Sequence, residues 1–241
     1  MTFDIISLAG GSVIGAGIAW ILECWVGLFL KQLTTEHSNG FAQPTSANNS
    51  KLFERLGIYI FMSITTALLC VWRQWSPELL NDLILVSALV GIAWIDRKTL
   101  LIEGKIVSLA LLLRLLWLSF FASHQIFDAL AGLLIGAGIL YFIGFLYKTI
   151  RHHQGLGEGD AAVLGLIGMW VGWRGLWSVL LIAAISGILI GGISLLRQKP
   201  LSQNFTELLQ TQIPFAPFLC VGGLIVYFLQ EKGFLGVFYG F

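Results

Sequence analysis

Two aspartates carry the chemistry on offer in this sequence. Asp96 closes an apolar run, Leu89-Val90-Gly91-Ile92-Ala93-Trp94-Ile95-Asp96, just ahead of Arg97 and Lys98. Asp160 opens another run, behind Gly155, Gly157 and Gly159 and ahead of Ala161-Ala162-Val163. An acid at the boundary of an apolar span is costly, and that cost makes it informative. Two carboxylates brought to one depth on different helices cannot both ionise easily, so one keeps its proton and the pair offers a general base and a general acid. A water held between them attacks a peptide carbonyl as one carboxylate takes its proton and the other carboxyl protonates the oxygen. The glycines permit close approach of a second chain and unusual torsions, which an extended substrate laid beside the loop would need. The same residues also admit a structural reading. Asp160 suits a helix N-terminus through the helix dipole, and Asp96 suits an interface beside Arg97 and Lys98.

The elements that position these acids are membrane spans. Of 241 residues, 57% are apolar and 11% are charged, against about 25% charged in soluble domains. That composition excludes disorder, which needs low hydrophobicity and high charge, and argues against a soluble enzyme. The formal net charge of +1 supplies no basic surface, so no nucleic-acid partner is expected. Spans of ~20 mainly apolar residues fall at about 5–30, 56–74, 78–95, 106–122, 126–147, 161–173, 175–196 and 215–231. The predicted fold is an all-α polytopic bundle of about eight transmembrane helices. The break at Trp173-Arg174-Gly175 is tight, so seven helices, with 161–196 as one bent helix, is the alternative. The predicted organisation is residues 1–75, two helices joined by a short cysteine-free loop, and residues 76–241, the core that carries both acids.

Basic residues favour the cytoplasmic side. Lys31, Lys51, Arg55, Arg97, Lys98, Lys105, Lys148, Arg151, Arg197 and Lys199 fall on one side of the predicted spans, against Arg73, Arg174 and Lys232 on the other. Both termini are therefore expected outside, with loops 31–55, 148–160 and 198–214 in the cytoplasm and both acids at the cytoplasmic edge. The first span lacks a basic start and a small-residue cleavage site, so it is expected to be retained. Cys24, Cys70 and Cys220 form no CxxC pair, and no metal site is expected. Arg114, inside a span, is expected to pair with an acid or to snorkel. Glu23, also inside a span, has no assigned role. Asp82 and Asp128 are expected at interfaces. Trp170, Trp173 and Trp177 read as an interfacial cluster.

Four pieces of the sequence, in order, resemble the type IV prepilin peptidases, a family of intramembrane aspartic proteases with a Gly-x-Gly-Asp signature. They are Ala93-Trp94-Ile95-Asp96, then Gly155-Leu156-Gly157-Glu158-Gly159-Asp160. Leu166-Ile167-Gly168-Met169-Trp170-Val171-Gly172-Trp173 follows, and then Ile213-Pro214-Phe215-Ala216-Pro217-Phe218. The resemblance runs from about Leu83 to Tyr227. It implies that Asp96 and Asp160 are catalytic and that Gly157, Gly159, Pro214 and Pro217 shape the site. It implies a prepilin or pseudopilin partner in the bacterial inner membrane. The basic leader of that partner is cut at the cytoplasmic face.

Departures from the family pattern are specific. Most members also methylate the new pilin N-terminus, an activity that goes with two CxxC pairs between the first two spans. Here residues 31–55 hold no cysteine, so neither a metal nor methylation is expected, and S-adenosylmethionine enters only if methylation is retained. Glu103 and Gly104 stand where the family has proline and then Asp or Asn, and Ala162 stands where it often has Lys. These changes keep open a non-catalytic prepilin-binding assembly factor. A small transporter is a third reading, disfavoured because the acids sit at one edge and no repeat is visible.

Overall fold

The computed structural model describes residues 2–36, 48–151, 157–197 and 215–233. These fold into helices: α1 (Thr2–Glu36), α2 (Asn48–Arg73), α3 (Pro77–Thr99), α4 (Gly104–Phe121), a 3-10 turn (Ser123–Gln125), α5 (Ile126–Arg151), α6 (Glu158–Arg197) and α7 (Ala216–Glu231). No strand occurs among the described residues. Six of the helical stretches are long and apolar enough to cross a membrane, and α7 is a shorter apolar helix. The chain is an all-α polytopic membrane protein, as its hydropathy predicts. Gly155, Pro214, residues 37–47 of the loop 31–55 and all of the loop 198–214 lie outside the described residues.

The chain divides into two compact units, Met1–Ser87 and Ala88–Phe241. In the first, α1 and α2 cross at glycine. A Cβ at Gly11 would stand 2.7 Å from Cα of Ala67, and such small residues let helix backbones meet inside a bilayer. The acid inside the first span, Glu23, accepts a hydrogen bond from the Tyr59 hydroxyl at 2.8 Å. Asp82, which the sequence places near the end of a span, is 0% exposed. Arg73 donates to it twice, from Nε at 2.7 Å and from Nη2 at 3.3 Å. The turn between α2 and α3 explains why these two residues meet. Gln74 and Trp75 both have positive φ, 48° and 60°, and reverse the chain within a few residues.

In the second unit, α6 contains the feature that decides the span count. A straight helix of 40 residues would be about 60 Å long, twice the hydrocarbon thickness. It is broken at Gly172, whose φ of 73° and ψ of 169° lie in a region open essentially to glycine alone. On α7, Gly223 faces Ile167 while the adjacent Gly222 faces the carbonyl oxygen of Val179. Positions on either side of Gly172 thus stand at the same level of α7, so residues 158–171 and 173–197 run back along each other as a hairpin. That gives eight α-helical segments among the described residues, with the break a residue before the predicted Trp173-Arg174-Gly175. α5 packs on the first arm at Gly132 and Gly168, where an added Cβ on either would overlap the other's carbonyl.

Candidate active site

Asp96, Asp160 and the start of α7 meet at one end of the second unit. Asp96 sits in the last turn of α3, which closes when the Leu100 N–H donates to the Asp96 carbonyl at 2.8 Å. Leu100 is left-handed there, with φ 54°. The Asp96 side chain faces inward and the residue is 5% exposed. The backbone N–H of Ala216, at the open N-terminus of α7, is directed at its carboxylate. Its Oδ2 is buried with no hydrogen-bond partner. Asp160 is half-buried in the first turn of α6, where its own N–H donates to the Gly157 carbonyl at 3.1 Å. The two carboxylates lie within electrostatic reach of one another, on helices 64 residues apart in sequence. Two acids positioned so, one with an orphaned oxygen, can hold a water and exchange protons through it.

The other predicted site residues divide. Gly157 is exposed beside Asp160, whose Oδ2 would stand 3.3 Å from a Cβ there. Gly159 is packed against Ile102, in the loop between α3 and α4. Pro217 is half-buried in the first turn of α7, next to the Ala216 N–H that faces Asp96. Pro214 lies outside the described residues.

Sequence reasoning did not find the Ala216 N–H, nor Cys220. Cys220 is buried one turn along α7 and lies within electrostatic reach of both aspartates. The i, i+4 spacing of these two residues is the signal that links them. Glu103 stands out in sequence as a departure but not as a buried group. It is 6% exposed, its Oε2 has no hydrogen-bond partner, and it is the N-cap of α4 without a side-chain capping bond. Burial pushes its carboxyl above the usual glutamate range. Lys105, 3.9 Å away, offsets part of that push. Arg114 neither snorkels nor relies on an acid alone, as its guanidinium lies over the rings of Trp117 and Trp170. Trp170 is accordingly buried, while Trp173 and Trp177 are exposed.

Fold and site together define a helical membrane protein in which two aspartates from separate helices meet at one end of a bundle. Residues 83–192 match the type IV leader peptidase family. Similar curated proteins are the prepilin leader peptidase/N-methyltransferases of Escherichia coli strain K12 and Pseudomonas putida. The first is 30% identical over 172 residues, covering 69% of this chain and 71% of the relative. The second is 31% identical over 171 residues, covering 69% and 57%. That of Xanthomonas campestris is 27% identical over 179 residues, covering 70% and 58%. The chain belongs to the type IV leader peptidase family. It spans between 47% and 58% of the length of several curated relatives it matches. No solved structure matches it.

Proposed function

We propose that this protein is an aspartic endopeptidase that removes the basic leader from type IV prepilin or pseudopilin substrates. Family membership supports leader peptidase activity. The observation that carries the aspartic mechanism is the convergence of Asp96 and Asp160, with the Ala216 N–H directed at the former. One carboxylate takes a proton from the bound water, whose oxygen bonds to the scissile carbonyl carbon. The other carboxyl supplies a proton to the carbonyl oxygen. Collapse of the tetrahedral species breaks the C–N bond, and the leaving nitrogen takes a proton from the dyad. The peptidase core is assigned to residues 76–241 and the reaction to the cytoplasmic face of the bacterial inner membrane. The basic residues flanking Asp96, and those of the loop before Asp160, support that orientation. Methyl transfer stays outside this reading, because residues 31–55 lack cysteine.

The test is co-expression with a prepilin and mass measurement of its N-terminal peptide, beside Asp96→Asn and Asp160→Asn. Wild type should trim the leader. Each variant should lose cleavage by about 10²–10⁴-fold, the range for a general acid or base. A trimmed product heavier by one methyl group would show that methylation persists without the cysteine-rich loop. Cleavage surviving both substitutions would sink the aspartic mechanism, and an untouched prepilin would sink the peptidase reading and favour a non-catalytic prepilin-binding assembly factor.

A further inference from the structure

At the end of the second unit remote from the aspartates lies a cavity of about 340 Å³, between α4, the start of α5, the Gly172 turn and the end of α7. That volume falls within the range of about 300–1,000 Å³ typical of small-molecule sites. Arg114 forms part of its wall, near the middle of α4 and 5% exposed. Its Cζ stands 5.1 Å from the ring centroids of both Trp117 and Trp170. A cation held this far into a span is a functional residue by default. A second, independent signal sits beside it. Trp170 also lines the cavity, is 7% exposed, and its indole N–H is buried with no acceptor. Buried donors in native proteins are nearly always satisfied, so an orphan calls for a partner. Arg174 adds another cation to the lining and Asp128 a carboxylate, which leaves the wall one positive charge in excess, and the Gln230 amide fixes the turn by donating to the Val171 carbonyl at 3.2 Å. The cavity therefore offers a guanidinium and an indole N–H to an anionic acceptor.

Helix lengths say where that acceptor comes from. The first arm of α6, residues 158–171, is about 21 Å long and α7 about 24 Å. The hydrocarbon core is about 30 Å thick. A bilayer meeting such short helices thins locally, which draws headgroups inward. Trp173, Trp177 and Phe127 are exposed near this end of the unit, as aromatic side chains at a headgroup boundary are.

We propose that this cavity binds the phosphodiester group of a phospholipid. Arg114 and the Trp170 N–H donate to the phosphate oxygens, and the acyl chains lie along the exposed apolar rim. The proposal does not depend on the peptidase reading.

The full-length protein, purified and stripped of lipid in detergent, would be titrated with phosphatidylglycerol. Diacylglycerol with the same chains and inorganic phosphate serve as separate arms, with native mass spectrometry and tryptophan emission as readouts. Saturable one-to-one binding of phosphatidylglycerol alone is expected. Trp170→Phe keeps a ring under Arg114 but removes the N–H, and should weaken binding about tenfold or more. Ala129→Leu, which places bulk on the cavity wall, should do the same with every charge retained. Arg114→Lys replaces Trp170→Phe should that variant fail to fold. Equal binding by diacylglycerol, unchanged binding by folded variants, or no binding by wild type would overturn the proposal. Inorganic phosphate binding as tightly as the lipid would overturn the lipid assignment and leave a small-anion site.

Discussion

Ile102 lies so close to Gly159 that a Cβ at position 159 would stand 2.8 Å from both Cβ and Cδ1 of Ile102. The α3–α4 loop, which begins just past Asp96, thereby seats directly on the residue before Asp160. One contact couples the supports of both aspartates. Gly159→Ala should force the loop outward, at a stability cost of about 1–3 kcal/mol from overpacking. A displacement of ~1 Å at a reacting group costs on the order of 10²-fold in rate, so cleavage should fall more than stability does. Ile102→Ala removes Cδ1 but keeps Cβ, and should restore part of both losses in the double variant. Independent, additive effects in that double-mutant cycle would refute the coupling.

Gly172 isolates a backbone effect. An added Cβ there meets nothing within 4 Å, so Gly172→Ala tests torsion alone. With φ 73° and ψ 169°, the substitution should cost about 1–3 kcal/mol. Asn, which tolerates the left-handed helical region, should give no relief, because this ψ lies outside that region. Unfolding in mixed detergent with increasing dodecyl sulfate would rank the three proteins. An Asn variant as stable as wild type would contradict the hairpin geometry.

The Arg73–Asp82 pair sits with its carboxylate fully buried and its guanidinium nearly so. Asp82→Ala leaves a desolvated cation and should destabilise the first unit by about 3–5 kcal/mol. Replacing both residues by apolar ones of similar volume should cost far less than the sum of the single changes. Hydrogen exchange across residues 56–87 gives the readout, with faster exchange in the single variant and near-normal protection in the double one.

Glu103 predicts a pH dependence whose sign follows from its raised folded-state pKa. The folded state binds this proton more tightly than the unfolded chain does. The contribution to stability is full below the ordinary glutamate value of 4.5 and is lost as pH rises through the folded-state value. Glu103→Gln should therefore raise the melting temperature at neutral pH and flatten the melting profile above about pH 4.5. A steeper profile in the variant, or a lower melting temperature at neutral pH, counts against the burial argument.

The helical membrane class, the approximate spans and the two aspartates were legible in the sequence. Hydropathy over ~20 residues reports the solvent of a segment directly, and an acid at the edge of an apolar run is conspicuous because it is costly. The burial of Asp82 is not legible in that way. Its position near a span end looked interfacial, but the Arg73 that allows its burial arrives through a turn made by Gln74 and Trp75 at positive φ, which local pattern does not announce. Composition likewise left the 161–196 region open between one bent helix and two. The backbone torsions of Gly172 and the way Gly222 and Gly223 face opposite arms decided it.

By itself, then, the sequence determined which segments leave water and which acids sit at their ends, because both follow from transfer free energies of the local chain. Tertiary structure alone decided that the Ala216 N–H faces Asp96, that Ile102 seats Gly159, and that Trp117 and Trp170 enclose Arg114. Each joins residues on different segments of the chain. Such meetings are set by where helices cross and turn, which depends on close packing between segments and leaves no periodic trace in any one of them.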